Sequence, residues 1–207
     1  MIQLKTKDIR IAVQSKGRLK ADSIEFLASM GFEIDETDSA LLSSCNKYEA
    51  DVIYLRDDDI PQYVASGVAD FGIVGENVYY ESPSGARIVK KLGFSKCSLI
   101  IAIPNDSNIR DVSDLEGKKI ATSYPNLLKS YLNKAKVKAE VVLVKGSAEV
   151  APVLGFADAI CDLVQSGKTL KENGLKPAFK IMESQAILVE SPFLKDFEFN
   201  PFQNESN

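Results

Sequence analysis

The sequence predicts an α/β protein made of two lobes with mostly parallel sheets. Apolar strand-like segments alternate with amphipathic helix-like segments, and this alternation occurs twice along the chain. The length of 207 residues suits either one large α/β domain or two small lobes. Two hinged lobes enclose a small ligand between them, so we expect the active site in the inter-lobe cleft.

The first alternation begins with a strand from Ile9 to Gln14, whose apolar side chains predict a buried position. A turn follows, and the amphipathic helix from Leu19 to Met30 ends at Gly31. The next predicted elements are a strand at Asp51 to Arg56, a helix at Ile60 to Ser66, a strand at Phe71 to Val74 and a short helix after Gly75. Strands linked by helices in this way are expected to pair in parallel.

The second alternation follows a strand at Cys97 to Ile103 and a turn at Pro104 to Asp106. Its predicted strands are Lys118 to Thr122, Val141 to Val144 and Ala159 to Val164, and its predicted helices are Pro125 to Lys136, Ser147 to Leu154 and Lys168 to Asn173. Two later strands, Phe179 to Met182 and Gln185 to Val189, are expected to return to the first lobe. Lobe I thus comprises residues 1–103 and 178–207, and lobe II comprises residues 104–177.

Two segments of the chain are similar to each other. Residues 67–74 and 155–162 both predict a helix end, a Gly-x-Ala-Asp turn and a strand. Internal duplication and the common chemistry of αβ turns both explain this similarity.

The tail from Asp196 has no helical period, and we expect a docked aromatic stretch with a frayed end.

The composition argues against several classes of protein. Hydrophobic residues make up 45% and charged residues 26% of the chain, as in soluble globular proteins. A net charge of −4 argues against non-specific nucleic-acid binding, and three widely spaced cysteines form no disulfide framework. The sequence contains no signal-peptide pattern and no apolar run of membrane-spanning length. We therefore expect a cytoplasmic protein without membrane or nucleic-acid partners.

The strongest candidate site is the segment from Ala159 to Thr169. A buried strand places Asp162 near its carboxyl end, where a carboxylate can accept hydrogen bonds from ribose hydroxyls. The turn after it offers backbone N–H groups at a helix start, close approach at Gly167, and the hydroxyls of Ser166 and Thr169. The alternative is an ordinary βα turn in which Ser and Thr act as caps.

Cationic residues follow two strands of the first lobe. Lys16-Gly17-Arg18 opens a helix, where cations oppose the helix dipole, and an anionic ligand would relieve that conflict. Arg56 ends another strand, where a guanidinium can bind phosphate through two hydrogen bonds. Tyr124 joins a strand to a helix in the second lobe and can pack on a base if it is exposed. Solvated charges and a simple Ser123 cap are the alternatives for these turns.

Taken together, these motifs resemble the catalytic chain of the ATP phosphoribosyltransferases, the first enzymes of histidine biosynthesis. The similar stretches occur in the same order over about four-fifths of the chain, and an ordered set is more specific than a single motif. They are KGRL at Lys16, RDDDIP at Arg56, GVADFGIVGENV at Gly67, LGFSKCSL at Leu92, IATSYPNLLKSYL at Ile120, and GSAEVAP to NGL from Gly146 to Leu175.

The resemblance implies a fold like that of periplasmic binding proteins. It also implies a glycosyltransferase reaction in which ATP and 5-phosphoribosyl 1-diphosphate give phosphoribosyl-ATP and pyrophosphate, with substrate-bound magnesium and no protein metal ligands. The sugar-phosphate loop maps onto Asp158, Ala159, Asp162, Ser166, Gly167, Lys168 and Thr169. The nucleotide side maps onto Lys16, Gly17, Arg18, Arg56 and Tyr124, and the three cations among them take the catalytic role.

The resemblance also suggests an assembly. The chain is similar to the short form of the family, which works with a separate regulatory subunit that looks like histidyl-tRNA synthetase. We therefore expect a homodimer within a hetero-oligomer. The rival class is a cytoplasmic two-lobed binding protein for a phosphorylated small molecule, which would capture its ligand without chemistry.

Overall fold

The computed structural model describes residues 9–35, 41–45, 48–194 and 202. Within these ranges the strands form two sheets, one of six strands and one of five. The chain divides into two compact units with one sheet each. Unit 1 comprises Met1–Ser95 and Gln185–Asn207, and unit 2 comprises Lys96–Ser184.

Unit 1 contains a six-stranded sheet with the strand order β2-β3-β1-β4-β11-β5. Its strands are β1 (Ile9–Gln14), β2 (Leu42–Ser44), β3 (Ala50–Leu55), β4 (Phe71–Gly75), β5 (Arg87–Lys91) and β11 (Ala186–Glu190). Its helices are α1 (Arg18–Ser29), α2 (Ile60–Ala65) and α3 (Glu76–Glu81). The central strand β1 pairs in parallel with both β3 and β4, so the carboxyl ends of these three strands share one edge.

The core of unit 1 explains why its helices pack closely on the sheet. A Cβ atom at Gly72 would lie 2.8 Å from methyl groups of both Ile60 and Val64, so only glycine lets α2 approach β4 here.

From the tail, Phe202 is 5% exposed, and its ring lies 4.8 Å from the ring of Phe71. This contact agrees with the predicted docking of an aromatic residue, whereas the rest of the tail after residue 194 lies outside the described residues.

Unit 2 contains a five-stranded sheet with the strand order β10-β6-β9-β7-β8. Its strands are β6 (Cys97–Pro104), β7 (Lys119–Thr122), β8 (Glu140–Leu143), β9 (Ala159–Val164) and β10 (Leu175–Ser184). Its helices are α4 (Pro125–Ala135), α5 (Val150–Val153) and α6 (Lys168–Glu172), and a 3-10 turn spans Val112–Leu115. The strand β7 pairs in parallel with β8 and β9, so these carboxyl ends also share one edge.

The α/β class and the two sheets are confirmed, but both sheets are mixed rather than mostly parallel. Among the described strands, four pairings are parallel and five are antiparallel. All four parallel pairings join strands of the two predicted helix-linked alternations: β1 with β3 and β4, and β7 with β8 and β9. The antiparallel ones involve β2, β5, β6, β10 and β11, whose partners the hydrophobic pattern does not indicate.

The boundaries of the two units differ from those of the predicted lobes. The sequence pattern predicts that Cys97 to Ile103 and all residues after 177 belong to lobe I. However, β6 and β10 pair along their length from Cys97↔Ser184 to Pro104↔Leu175, and β6 also pairs with β9. Both strands therefore belong to unit 2, and the chain passes between the units at residues 95/96 and 184/185.

The two similar segments adopt the same local structure. In each, a glycine with positive φ ends a helix, at Gly67 (φ 75°) and Gly155 (φ 68°). The aspartate that follows accepts a 2.8 Å hydrogen bond from a neighbouring strand's N–H: Arg10 donates to Asp70, and Lys119 donates to Asp158. In return, the Asp70 N–H donates to the Arg10 carbonyl, and the Asp158 N–H donates to the Lys119 carbonyl. The aspartate therefore fixes the register at the start of each pair of parallel strands.

The remaining features of the fold concern cysteines and helix length. Among the described residues no disulfide bond joins the three cysteines, and Cys45 and Cys161 are buried in the two cores. Among the described helices, none has both the length and the apolar character needed to cross a bilayer.

Candidate active site

The loops after β7, β8 and β9 meet at one edge of the unit 2 sheet. Three hydrogen bonds connect the ends of these strands. The Thr122 hydroxyl donates to the Cys161 carbonyl (2.7 Å), the Ser123 hydroxyl donates to the Val144 carbonyl (2.8 Å), and the Val144 N–H donates to the Thr122 carbonyl (3.0 Å). Two short polar side chains therefore hold the three loops in fixed relative positions.

The predicted phosphate loop forms a tight turn at this edge. Gly167 has the left-handed conformation (φ 72°) and is the N-cap of α6, which begins without a side-chain cap. Ser166, Lys168 and Thr169 are exposed, whereas Leu170 is 4% exposed and anchors the turn in the core. Because α6 has only five residues, its dipole is small, and the N–H groups and hydroxyls of the turn are the main donors to an anion.

Asp162 lies three residues before this turn and is partly buried. Its Oδ1 accepts a 2.7 Å hydrogen bond from the Leu163 N–H. Burial raises the pKa of the Asp162 carboxyl, the Leu163 hydrogen bond opposes this shift, and the nearby Glu149 carboxylate adds to it. Glu149 was missed as a site residue because its Ser-x-Glu context resembles a simple helix start.

Asp158 and Ala159 do not join the other predicted residues of the sugar-phosphate site. They lie at the beginning of β9, separated from the turn by a six-residue strand, about 20 Å long. Asp158 binds the Lys119 N–H, and Ala159 is fully buried. Asp158 instead lines a separate pocket of about 430 Å³, which contains none of the loop residues. The motif from Asp158 to Thr169 runs through the whole of β9, so its spacing does not show that the two ends of the strand lie far apart.

The predicted cations of unit 1 lie together at the corresponding edge of that sheet. Gln14 is paired with Leu55, and the Ser15 N–H donates to the Leu55 carbonyl at 2.7 Å. Residues 16–18 and Arg56 therefore follow neighbouring strand ends, and Lys16, Arg18 and Arg56 are exposed. Gly17 (φ 83°) is the N-cap of α1, which has no side-chain cap and no acidic residue in its first turn.

The ion pairs of these three cations differ. Within the described part of the chain, neither Lys16 nor Arg56 is within 4 Å of a carboxylate oxygen, whereas Arg18 Nε lies 3.9 Å from Asp22 Oδ2. Beside Arg56, burial raises the pKa of Asp57. Asp59 is the N-cap residue of α2, although its side chain makes no capping hydrogen bond.

Tyr124 belongs to unit 2, unlike the three cations of the predicted nucleotide side. It is the N-cap residue of α4, and its N–H donates to the Thr122 hydroxyl at 2.9 Å. The side chain is partly buried and packs against the unit 2 core, so it is less exposed than expected. The core of unit 2 therefore holds the ring, which lies in the loop directly after β7.

Carboxylates in the described ranges do not converge into a metal centre. No group of three or more His, Cys, Asp or Glu side chains there has the arrangement needed to hold a metal ion. Asp162 and Glu149 form only a pair. These residues do not supply a resident site, and a cation at this edge would need further ligands from a substrate or water.

The fold and these loops define a class of protein: a two-unit α/β protein with polar turns at the strand-end edge of each sheet. The fold is shared with solute-binding proteins, including the alkanesulfonate-binding protein SsuA from Xanthomonas axonopodis pv. citri (TM-score 0.57, 17% identity, 90% of this chain and 66% of that one). At that identity the similarity concerns the fold alone.

The family is more specific than the fold. The HisG model, described as ATP phosphoribosyltransferase, matches residues 56–202, and the chain belongs to this family. Curated ATP phosphoribosyltransferases from Bacteroides thetaiotaomicron and Bacteroides fragilis are 47% and 49% identical over 91% and 87% of the chain. The chain spans 66% and 64% of the length of these two relatives.

A solved structure supports the same family. The ATP phosphoribosyl transferase (HisG:HisZ) complex from Thermotoga maritima contains a chain that matches with a TM-score of 0.76 and 28% identity. The match covers 89% of this chain and 88% of that one. The sequence-based resemblance is therefore confirmed at the level of the family.

We predict that Asp162→Asn stabilises the protein at neutral pH. The raised pKa means that the ionised carboxyl disfavours the folded state, and asparagine removes that charge but keeps an oxygen for the Leu163 N–H. The expected gain in melting temperature at pH 7 is about 2 °C. Thermal unfolding followed by circular dichroism between pH 4 and pH 8 measures it.

The pH dependence of this gain has a definite sign. Above the raised pKa the wild-type carboxyl is ionised in both states, so the gain is fully present. It disappears as the pH falls through the raised pKa towards the usual aspartate value, because the carboxyl becomes protonated in both states. Asp158→Asn is the matched control and gives no gain, because Asp158 accepts its strand hydrogen bond at a more exposed position. A gain that grows in acid would contradict the assignment.

Proposed function

We propose that this chain catalyses the ATP phosphoribosyltransferase reaction, the first step of histidine biosynthesis. ATP and 5-phosphoribosyl 1-diphosphate would give phosphoribosyl-ATP and pyrophosphate. The observation that carries the proposal is the family match over residues 56–202, which includes the whole turn at residues 165–169. The names of the similar bacterial proteins agree with it.

The unit 2 edge is proposed to bind the phosphorylated sugar. The backbone N–H groups after Gly167 and the hydroxyls of Ser166 and Thr169 would donate to the 5-phosphate. Asp162 would accept hydrogen bonds from the ribose hydroxyls, and Lys168, 80% exposed at its side chain, supplies a mobile positive charge. Lys168 forms a loose ion pair to Glu172 at 3.8 Å, which costs little to exchange for a phosphate.

The unit 1 edge is proposed to bind the polyphosphate groups. Arg18 and Arg56 can each bind two phosphate oxygens, and Lys16 adds a compact charge. The absence of histidine suits this reaction because adenine N1 is a neutral lone pair at pH 7 and needs no general base. The protein would align N1 opposite the leaving group and stabilise the charge that develops on pyrophosphate.

Magnesium enters the proposal as part of the substrate. In the described residues no group of three or more carboxylates is arranged to hold a metal ion, and Mg²⁺ usually keeps water and substrate phosphates as most of its ligands. The ion would neutralise negative charge on the diphosphate when bound. The named side chains bind and orient the organic parts of the substrates.

The proposed partners follow from the solved relative. Its description names a HisG:HisZ complex, which supports a hetero-oligomer with a regulatory subunit for this chain. The short form and the homodimer stay predictions, because the chain spans only about two thirds of its curated relatives. We also propose a cytoplasmic location, which agrees with three cysteines that form no disulfide in the described residues and with the use of ATP.

The activity assay is the direct test of the proposal. Mixing the chain with ATP, 5-phosphoribosyl 1-diphosphate and Mg²⁺ is expected to release pyrophosphate and to form phosphoribosyl-ATP, measured by its absorbance and by mass spectrometry. The assay is run with and without a supplied regulatory subunit. Ligand binding without product under both conditions would contradict the enzyme and favour the binding-protein alternative.

A glycine pair tests the loop separately from the fold. Gly167 and Gly174 both have positive φ (72° and 67°), and the space around each would accept a Cβ. Replacing either by valine strains the backbone by a similar amount, about 1–2 kcal/mol. We expect Gly167→Val to weaken ribose 5-phosphate binding at least tenfold and to leave ATP binding within about twofold, measured by calorimetry.

The matched variant Gly174→Val carries a similar strain at the far end of α6, beyond the C-cap residue Asn173 and away from the turn. It should lower the melting temperature by a comparable amount and leave both affinities unchanged. Equal loss of both ligands in a folded Gly167→Val protein would contradict the loop assignment.

A further inference from the structure

The segment that leads out of unit 1 packs against one face of α1. Phe94 and Ser95 are the last residues before the first passage between the units. The Phe94 ring lies 6.0 Å from the ring of Phe26, and the Ser95 hydroxyl donates a 2.6 Å hydrogen bond to Asp22 Oδ2. Asp22 and Phe26 are four residues apart and therefore share a face of the helix.

The same face continues to Arg18, one turn before Asp22. Arg18 Nε lies 3.9 Å from the Asp22 Oδ2 that accepts the Ser95 hydroxyl. The Asp22 side chain is 27% exposed and the Arg18 side chain 45% exposed. One carboxylate oxygen thus contacts both the outgoing segment and the cation at the start of the helix.

The conformation of Ser95 makes this contact notable. Ser95 has φ 50°, which is unfavourable for a residue with a side chain, and Gly93 two residues earlier has φ 81°. A strained serine persists where the surrounding contacts determine its conformation. Here those contacts are the hydrogen bond to Asp22 and the adjacent packing of Phe94 on α1.

We propose that Asp22 is a positioning residue for Arg18. Its carboxylate, fixed by the Ser95 hydroxyl, restrains the guanidinium through Nε and leaves the two Nη groups available to a phosphate or diphosphate. Restraint matters because arginine loses much rotamer freedom when it binds, and a cation at the first helical position is disfavoured by the dipole. This inference rests on the proposed function, in which Arg18 binds polyphosphate.

Charge neutralisation gives the proposal a test with a definite sign. Removing a carboxylate beside an anion site should tighten anion binding if only long-range electrostatics operate. If Asp22 positions Arg18, Asp22→Asn weakens the binding of magnesium pyrophosphate despite the lost negative charge. We expect about threefold weaker binding by calorimetry, in line with an exposed ion pair. Glu25→Gln on the exposed side of α1 is the matched control, with affinity unchanged or slightly increased.

Two serine variants separate positioning from stability. Ser95→Ala and Ser95→Gly both remove the hydroxyl, but glycine also relieves the positive φ. Both should weaken pyrophosphate binding to the same degree, about twofold, whereas Ser95→Gly should have the higher melting temperature of the two because it relieves the positive φ. Affinities that follow stability instead of the hydroxyl would overturn the proposal.

A measurement on the free protein decides the matter without any ligand. The sequence contains five arginines, so the Nε–H groups give few signals in a ¹H–¹⁵N spectrum. Because the 3.9 Å contact is an ion pair, the readout is side-chain motion: the ¹⁵N order parameter of the Arg18 Nε–H is expected to fall in Asp22→Asn and not in Glu25→Gln. An unchanged order parameter overturns the proposal. Failure of the wild-type protein to bind pyrophosphate would instead count against the proposed function of the unit 1 edge.

Discussion

Parallel pairing of the central strands is the constraint on which the rest of this structure depends. In unit 1, β1 is parallel to β3 and β4, and in unit 2, β7 is parallel to β8 and β9. The loops after such strands must all emerge at one edge, so residues distant in sequence become neighbours there. Asp70 and Asp158 secure this pairing at the opposite ends of the strands, each by binding a neighbouring strand's N–H. Register at one edge therefore fixes the position of the loops at the other.

The helix-linked elements were predictable because their signals are local. Glycine stops, a proline at the start of α4 and apolar periodicity identified β1, α1, β4, α4 and β9 within a few residues of their observed bounds. The antiparallel pairings were not predictable, because β6 and β10, for example, pair although they are about 80 residues apart in the sequence. The sequence shows an apolar strand in each case but not its partner. That is why the predicted lobe boundaries differ from those of the units.

Within the site, the sequence identified the turn at residues 165–169 and the cations at residues 16, 18 and 56, since each follows a strand directly. It did not distinguish the two ends of β9, so Asp158 and Ala159 were grouped with a turn that lies at the other end of the strand. Glu149 and Asp22 were not found, because their effects operate through Asp162 and Arg18. A carboxylate that acts on another side chain has no sequence signal of its own. Its role is visible only once distances are known.

We propose that the turn after β9 binds the phosphate of a phosphorylated sugar through its backbone N–H groups. Titration of ¹⁵N-labelled protein with ribose 5-phosphate, followed by amide chemical shifts, tests this binding. Large downfield shifts of the Gly167, Lys168 and Thr169 amides, which saturate together, are expected. Saturable shifts confined to the pocket near Asp158, with the turn unchanged, would contradict it.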